Sequence, residues 1–335
     1  DDYRLPGFPL DAEAQPPRQG LSLGESELVF AANVDDRFYG RLTASLSPDN
    51  ELSIEEAFFQ TLNMPSGLTL QAGRFYSNIG YLNSKHSHTW DFVDPPLAYR
   101  AMLGNQYGDD GVQLRWLVPT DQYLELGGEV FRGDAFPAAG AAHSGTGTRT
   151  LFARTGGDVG VSHSWLAGLS LLDADVADRE AAGTAFTGSS RLWIADFIWK
   201  WAPNGNGYRR NLTVQAEYLH RRERGDYTIG AATSAYDAAQ SGWYTQAVYQ
   251  FMPRWRIGAR YDQLRADDPG AAFAGTVLDP AGHTPRRTSL MLDFANSEFS
   301  RLRLQYNHDR SGPHTDNQWY LQYIMAVGSH GAHRY

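Results

Sequence analysis

The chain contains no cysteine. That excludes disulfide staples, thiol nucleophiles and thiolate metal centres. It is also nearly free of lysine: Lys85 and Lys200 are the only two, so almost all of the positive charge is arginine. Acid exceeds base, for a net charge of −9. The clustered positive field of a nucleic-acid surface is therefore missing, and no nucleic-acid partner is expected. No stretch approaches the roughly 18–20 consecutive apolar residues of a membrane helix. There is no heptad run and no interdomain linker. No signal peptide stands at Asp1; the acidic, Pro-rich stretch 1–20 reads as a mature or trimmed end whose export signal has been removed.

Aromatic residues and glycine are plentiful instead. Tyr, Phe and Trp make up 13% of 335 residues, beside 34 glycines, although the mean hydropathy is a polar −0.46. Many aromatics under a polar average fit a wall that is apolar only at every second residue.

Period two dominates the chain, in segments of about ten residues. Leu212, Val214, Ala216 and Tyr218 share one face against Thr213, Gln215 and Glu217. Trp255, Ile257, Ala259 and Tyr261 oppose Arg256, Gly258, Arg260 and Asp262. Leu302, Leu304 and Tyr306 oppose Arg301, Arg303, Gln305 and Asn307. Trp319, Leu321, Tyr323 and Met325 oppose Gln318, Tyr320 and Gln322. The same holds for Val112, Leu114 and Trp116 against Gln113 and Arg115, and for Ala195, Phe197, Trp199 and Trp201 against Asp196 and Lys200. A soluble sandwich would also alternate. Here, however, the polar faces carry charge in mid-strand, the apolar faces end in Trp or Tyr as at membrane interfaces, and connections alternate in length. Short turns fall at 34–37, 64–67, 119–121, 203–207, 252–254 and 296–298. Long loops fall at about 76–110, 132–148, 174–189, 221–238 and 265–285.

This pattern predicts an all-β fold: one transmembrane antiparallel β-barrel over 1–335, with short periplasmic turns and long outer loops in the cell outer membrane. Fifteen strands can be counted. The first, about 25–34, and the last both run down toward the periplasm, so an even-stranded barrel needs a sixteenth. That strand is expected upstream of Asp1, or from the irregular segment 1–22, where Pro6, Pro9, Pro16 and Pro17 oppose pairing. A receptor with a plug domain and about 22 strands is not supported.

The 76–110 loop is too long for an idle connection. It is expected to fold into the lumen, where Lys85, Asp91, Asp94 and Arg100 would set the field at a constriction; the plainer alternative is an outer lid. His86 and His88 place two rings on one side of an extended segment. They are candidate zinc ligands, with Asp91 or Asp94 as a third, against the alternative of two solvated histidines. His330 and His333 raise the same question. On the wall, Arg115, Arg256, Arg260, Arg301 and Arg303 face inward with Glu125, Glu129, Glu217, Asp262 and Asp293. Such charges either set ion preference or pair and stiffen the wall. No cofactor is implied, zinc being the one candidate. Catalysis is not expected: Ser162–His163–Ser164 has no legible orienting group, and the pairs Asp109–Asp110 and Asp267–Asp268 are placed in loops, the second either binding calcium weakly or doing turn chemistry.

One stretch goes beyond generic alternation. Residues 54–76 read IEEAFFQTLNMPSGLTLQAGRFY and continue SNIGYLN. This resembles the phosphate-selective porin O/P family, in which an E-A-aromatic strand, a Pro-Gly turn and a G-L-x-L-x-x-G-x-F strand follow one another. GDDGVQLRW (108–116) looks like the family's next strand. GYLNSKHSHTWDFVDPPLAYRAMLGNQYGDDGVQLRWLVPTD and the closing IMAVGSHGAHRY are similar to a related proteobacterial group labelled zinc-regulated outer-membrane receptors. The resemblance is strongest over about 23–135 and at the last strand. It implies a sixteen-stranded porin, commonly trimeric, with an additional N-terminal strand. Phosphate-selective members rely on lysine-rich constrictions, whereas this chain has two lysines. The closing Tyr335 loosely meets the usual terminal aromatic.

Together these readings predict a porin for passive diffusion of small solutes, charged ones included, through a water-filled lumen. Its partners would be the lipid bilayer, lipopolysaccharide, the solutes and a homotrimer. The alternatives are a metal-binding receptor using His86 and His88, and a structural barrel plugged by its own loops.

Overall fold

Each alternating segment becomes a strand because its two faces meet different solvents. The computed structural model describes residues 3–17, 19–24, 26–47, 51–139 and 145–328. Fifteen strands follow in chain order: β1 (Ser26–Asn33), β2 (Phe38–Leu46), β3 (Leu52–Thr61), β4 (Leu68–Tyr76), β5 (Gly108–Leu117), β6 (Tyr123–Phe131), β7 (Thr148–Val159), β8 (His163–Ala181), β9 (Thr184–Trp201), β10 (Asn211–Ile229), β11 (Ala232–Met252), β12 (Trp255–Ala266), β13 (Arg286–Ser297), β14 (Ser300–Arg310) and β15 (Asp316–Met325). They form a single sheet in sequential order, every neighbouring pair antiparallel. This is the all-β meander expected.

The outward face is apolar. Leu114, Leu151, Leu169, Trp193, Phe197, Tyr218, Trp243, Leu304 and Leu321 are all exposed, which only a lipid environment rewards. From Trp193 to Trp201 the band on β9 runs roughly 26 Å at about 3.3 Å per residue. A strand tilt near 40° brings that to about 20 Å of height, close to the apolar belt of such barrels. Above the band the outward face turns to exposed ion pairs: Arg191 with Asp173, and Arg222 and Arg224 with Asp237.

Two expected outer loops are corrected. Residues 174–189 and 221–238 are extensions of β8, β9, β10 and β11, paired throughout except for a bulge between Val176 and Arg179. Only 182–183 and 230–231 remain as turns. Ala182 and Gly183 both have positive φ, the conformation a two-residue hairpin connection demands. These extensions project beyond the membrane, so their outward face meets water and loses the hydrophobic beat. The connections at 77–107, 132–147 and 267–285 are long, as expected, while that between β2 and β3 is short.

The core sits inside the barrel. The inward faces of β8 to β11 carry Leu172, Val176, Phe186, Leu192, Ile194, Leu219, Tyr227, Tyr236 and Tyr244 in the outer half. Against them pack the loop helix α1 (Leu97–Leu103), Phe273 and Leu278 of the 267–285 loop, and Leu5, Phe8, Leu10 and Ala14 of the N-terminal segment. The N-terminal segment supplies no strand among its described residues; only a Leu5–Phe8 bridge forms. Instead Gln240 Nε2 donates to the Gly7 carbonyl at 2.6 Å, and Gly7 N–H donates to the Val277 carbonyl at 2.9 Å. Among the described residues no ladder joins β1 to β15.

Candidate functional site: the lumen loop and its cavity

The 77–107 loop enters the lumen because inward carboxylates and arginines satisfy its backbone on several sides. At its start Glu129 accepts Asn78 N–H at 2.9 Å and also bonds Ser77 Oγ. Next, Glu217 accepts Tyr81 N–H at 3.0 Å, Leu82 N–H at 3.2 Å and the Tyr99 hydroxyl at 2.8 Å. Further on, Asp94 lies buried, accepting from Arg260 Nη2 at 2.7 Å, Gln305 Nε2 at 2.8 Å and Asn307 Nδ2 at 2.9 Å, and paired with Arg287 Nη1 at 2.6 Å. Asp262 accepts Leu97 N–H at 2.9 Å at the start of α1. On β14, Arg303 donates to the Trp90 carbonyl at 2.7 Å and Arg301 to the His88 carbonyl at 2.6 Å.

Buried charge is costly unless paired and fully hydrogen-bonded, and here the loop supplies the pairing. The lumen-folded loop was legible from its length. The expectation for individual residues is corrected in part. Arg260, Arg303, Glu217, Asp262, Asp94 and Arg100 are buried between wall and loop. Their charge fastens the loop and does not face an open pore. Arg100 packs over the Tyr3 ring at 5.4 Å.

Arg115, Arg256, Arg301, Glu125, Lys85, Asp91, His86 and His88 do border a cavity of about 2880 Å³. Arg256 bonds Asp91 at 2.8 Å and pairs with Asp293. Arg115 Nη1 and Arg154 Nη1 stand 3.9 and 4.0 Å from Glu125. Lys200 borders the same cavity, so the chain's only two lysines share it. The Lys85 ammonium lies 4.0 Å over the Tyr81 ring. Burial, then repulsion from Lys200 and Arg154, lowers its pKa to about 8. Arg154 also donates to the carbonyls of Asn78 and Gly80, and sequence reasoning missed it.

His86 and His88 come together, their rings stacked at 5.7 Å. The expected third ligand is corrected: Asp91 and Asp94 are engaged with Arg256, Arg260 and Arg287, and the carboxylates that meet the histidines come from the wall. Glu27 of β1 lies 3.0 Å from His88 Nδ1 and 3.6 Å from His86 Nδ1. Glu55 Oε2 is 3.3 Å from His86 Nδ1, and Glu56 Oε2 is 2.8 Å from His86 Nε2. Burial opposes a charge on His86, but Glu27, Glu55 and Glu56 outweigh it and push its pKa up to about 11. His330, His333 and Tyr335 lie outside the described residues.

Ser162 and His163 sit at the β7–β8 turn. His163 stacks on Trp199 at 5.4 Å, and Ser162 Oγ accepts Asn204 N–H at 3.0 Å. The acidic pairs are corrected in part: Asp109 and Asp110 lie in β5, where Asp109 accepts Gly133 and Asp134 N–H at 2.8 Å and Asp110 accepts from Arg74 Nε at 2.7 Å, whereas Asp268 accepts Gly270 N–H at 2.8 Å in a turn.

No family model matches the chain. Among solved structures it is similar to OprB of Pseudomonas putida (13% identity, 90% of this chain and 86% of that one, TM-score 0.61). It is also similar to the outer membrane channel DcaP of Acinetobacter baumannii (15%, 91% and 85%, 0.56). A third likeness is to the anion-selective porin from Comamonas acidovorans (10%, 90% and 84%, 0.53). At these identities the likeness shows the fold, the outer-membrane β-barrel of porins. Among curated proteins, an uncharacterized protein of Aquifex aeolicus (strain VF5) is 32% identical over 340 residues, spanning 94% of this chain and 70% of that protein. With its lipid-facing band, its lumen loop and this identity over nearly its whole length, the chain belongs to the same family as that Aquifex aeolicus protein and carries the β-barrel fold of outer-membrane porins.

Proposed function

We propose that the protein is an outer-membrane diffusion channel for small charged solutes, with a preference for anions set around Lys85. The observation that carries this reading is the placement of the two lysines. A chain with no other lysine brings Lys85 from the loop and Lys200 from β9 to one cavity, beside Arg115 and Arg154. Burial, and beside it the assembly of like charges, opposes the ionisation of Lys85, and a perturbed group in a cleft is a functional-site candidate. Anion selectivity of this kind agrees with the name of the Comamonas acidovorans neighbour. A homotrimer belongs to the same reading.

Planar-bilayer recording across a salt gradient tests it. The expected result is stable conductance steps with a zero-current potential on the anion side. Lys85→Gln with Lys200→Gln should move that potential toward cations. Conductance with an unchanged potential in the double variant would remove anion preference, and absence of steps would remove the channel.

The apolar packing of Leu5, Phe8, Leu10 and Ala14 in the outer half of the lumen favours a second reading, a barrel held shut. In that case a variant lacking residues 1–17 conducts and the full chain does not.

A further inference from the structure

The histidine pair meets wall residues that sequence order keeps far apart, and their arrangement is that of a ligand shell. Glu27, His86 and His88 offer donor atoms that all lie within 4.8 Å of one another. Ligands on a tetrahedral zinc ion, with bonds of about 2.0–2.2 Å, stand about 3.3–3.5 Å apart. The two imidazoles already lie on the two oxygens of Glu27, His88 Nδ1 at 3.0 Å from Oε1 and His86 Nδ1 at 3.6 Å from Oε2, close enough for small side-chain shifts to reach that spacing.

Three further observations point the same way. First, His86 is 7% exposed, and its Nδ1 faces two carboxylates, Glu55 at 3.3 Å and Glu27 at 3.6 Å, without a hydrogen bond of normal geometry to either. A buried imidazole nitrogen ringed by carboxylate oxygens is a donor set that suits a metal ion. Second, the other nitrogen of His86 is already committed, with Nε2 2.8 Å from Glu56 and Arg41 Nε 3.0 Å from the same carboxylate oxygen. A metal-bound imidazole characteristically gives its second N–H to a carboxylate, which fixes the ring. Third, the ladder between β2 and β3 slips at this level: Thr43 faces Glu56 while Ala44 faces Ile54, leaving Glu55 as the extra residue. Such bulges re-aim side chains near functional sites, and this one brings two successive carboxylates to the same imidazole, Glu55 at 3.3 Å. Three carboxylates, Glu27, Glu55 and Glu56, gather around this imidazole beside one arginine, Arg41, a surplus of acid that attracts a cation.

We propose that Glu27, His86 and His88, steadied by Glu55 and Glu56, form a binding site for a divalent first-row transition ion such as zinc. Imidazole and carboxylate donors suit that class. His88 remains 46% exposed to the cavity, which provides the approach. Binding releases a proton from the histidines and ties the loop to β1, the first strand of the sheet. The site is independent of the channel reading, because binding is measured on the solubilised barrel.

Zinc titration calorimetry on untagged protein in detergent, with cobalt absorption as a spectroscopic check, decides it. One ion per chain is expected, with cobalt bands of a nitrogen and oxygen shell. Glu56→Gln should weaken binding about 10- to 100-fold. His88→Ala, at a half-exposed position that folding tolerates, should weaken it at least as much, and His86→Ala with His88→Ala should abolish it. Absence of binding by the unaltered protein would overturn the proposal, as would zinc binding of undiminished affinity in folded His88→Ala and in folded Glu27→Gln.

Discussion

Asp94 is the fastening on which the position of the lumen loop most depends, and Asp94→Asn isolates its charge. The carboxylate meets Arg260 at 2.7 Å and Arg287 at 2.6 Å, and both guanidiniums are buried. Substitution by the neutral amide leaves these two cations sharing Asp262. Removing one partner of a buried pair costs about 3–5 kcal/mol. At about 1.4 kcal/mol per tenfold change, the loop's opening equilibrium should rise by roughly two to three and a half decades. Hydrogen–deuterium exchange reads this directly: amides of α1 should lose that much protection, while β8 to β11 keep theirs. Burial alone would raise the Asp94 pKa, but Arg287, Arg260 and Arg100 outweigh it and hold the carboxyl well below the usual range. A depressed folded pKa means that the stabilisation is fully present above about pH 4 and is lost only as pH falls through the depressed value. Acidification from pH 7 to pH 5 should therefore leave wild-type protection intact. Unchanged protection in Asp94→Asn, or loosening of the wild-type loop already at pH 5, would refute this account.

Other consequences are as specific. With a pKa lowered to about 8, Lys85 is a cation below that pH and neutral above it. Anion preference should decline between pH 7 and pH 9 in zero-current potentials, and Lys85→Arg should suppress the decline. At Gly80, φ is +60° and an added Cβ would stand 2.5 Å from the Tyr99 hydroxyl and 2.6 Å from Glu217 Oε2. Gly80→Ala should destabilise the loop by about 1–3 kcal/mol, read as faster exchange at 80–83. Phe197 is 46% exposed within the outward band. Phe197→Arg should cost about 2–4 kcal/mol in urea-monitored folding into vesicles, and a cost near zero would place the residue outside the lipid.

Much of the barrel was legible because each strand separates lipid from lumen. That separation writes period two into Leu212–Tyr218, Trp255–Asp262 and Leu302–Asn307. Where the separation ends, legibility ended as well. In the outer halves of β8 to β11 the outward face carries Asp173, Arg191, Arg222 and Asp237 in water, so alternation faded and strands read as loops. The lumen loop was evident from length, and its candidate residues from type, but their division of labour was not. Arg256 and Arg260 sit on the same face of one strand, yet Arg256 borders the cavity and Arg260 lies beneath the loop.

The histidines could be picked from the sequence, while their carboxylate partners could not. Local spacing offered Asp91 and Asp94, but arginines claim both, Arg256 at the cavity and Arg260 with Arg287 beneath the loop. Glu27, Glu55 and Glu56 reach His86 only because the loop crosses the lumen and a bulge turns the third strand's acids inward. The sequence alone determined which face of each strand is apolar, since lipid contact acts on single residues in local order. The tertiary structure decided which charges meet, because partners across a lumen are set by the curvature of the sheet and the path of the loop.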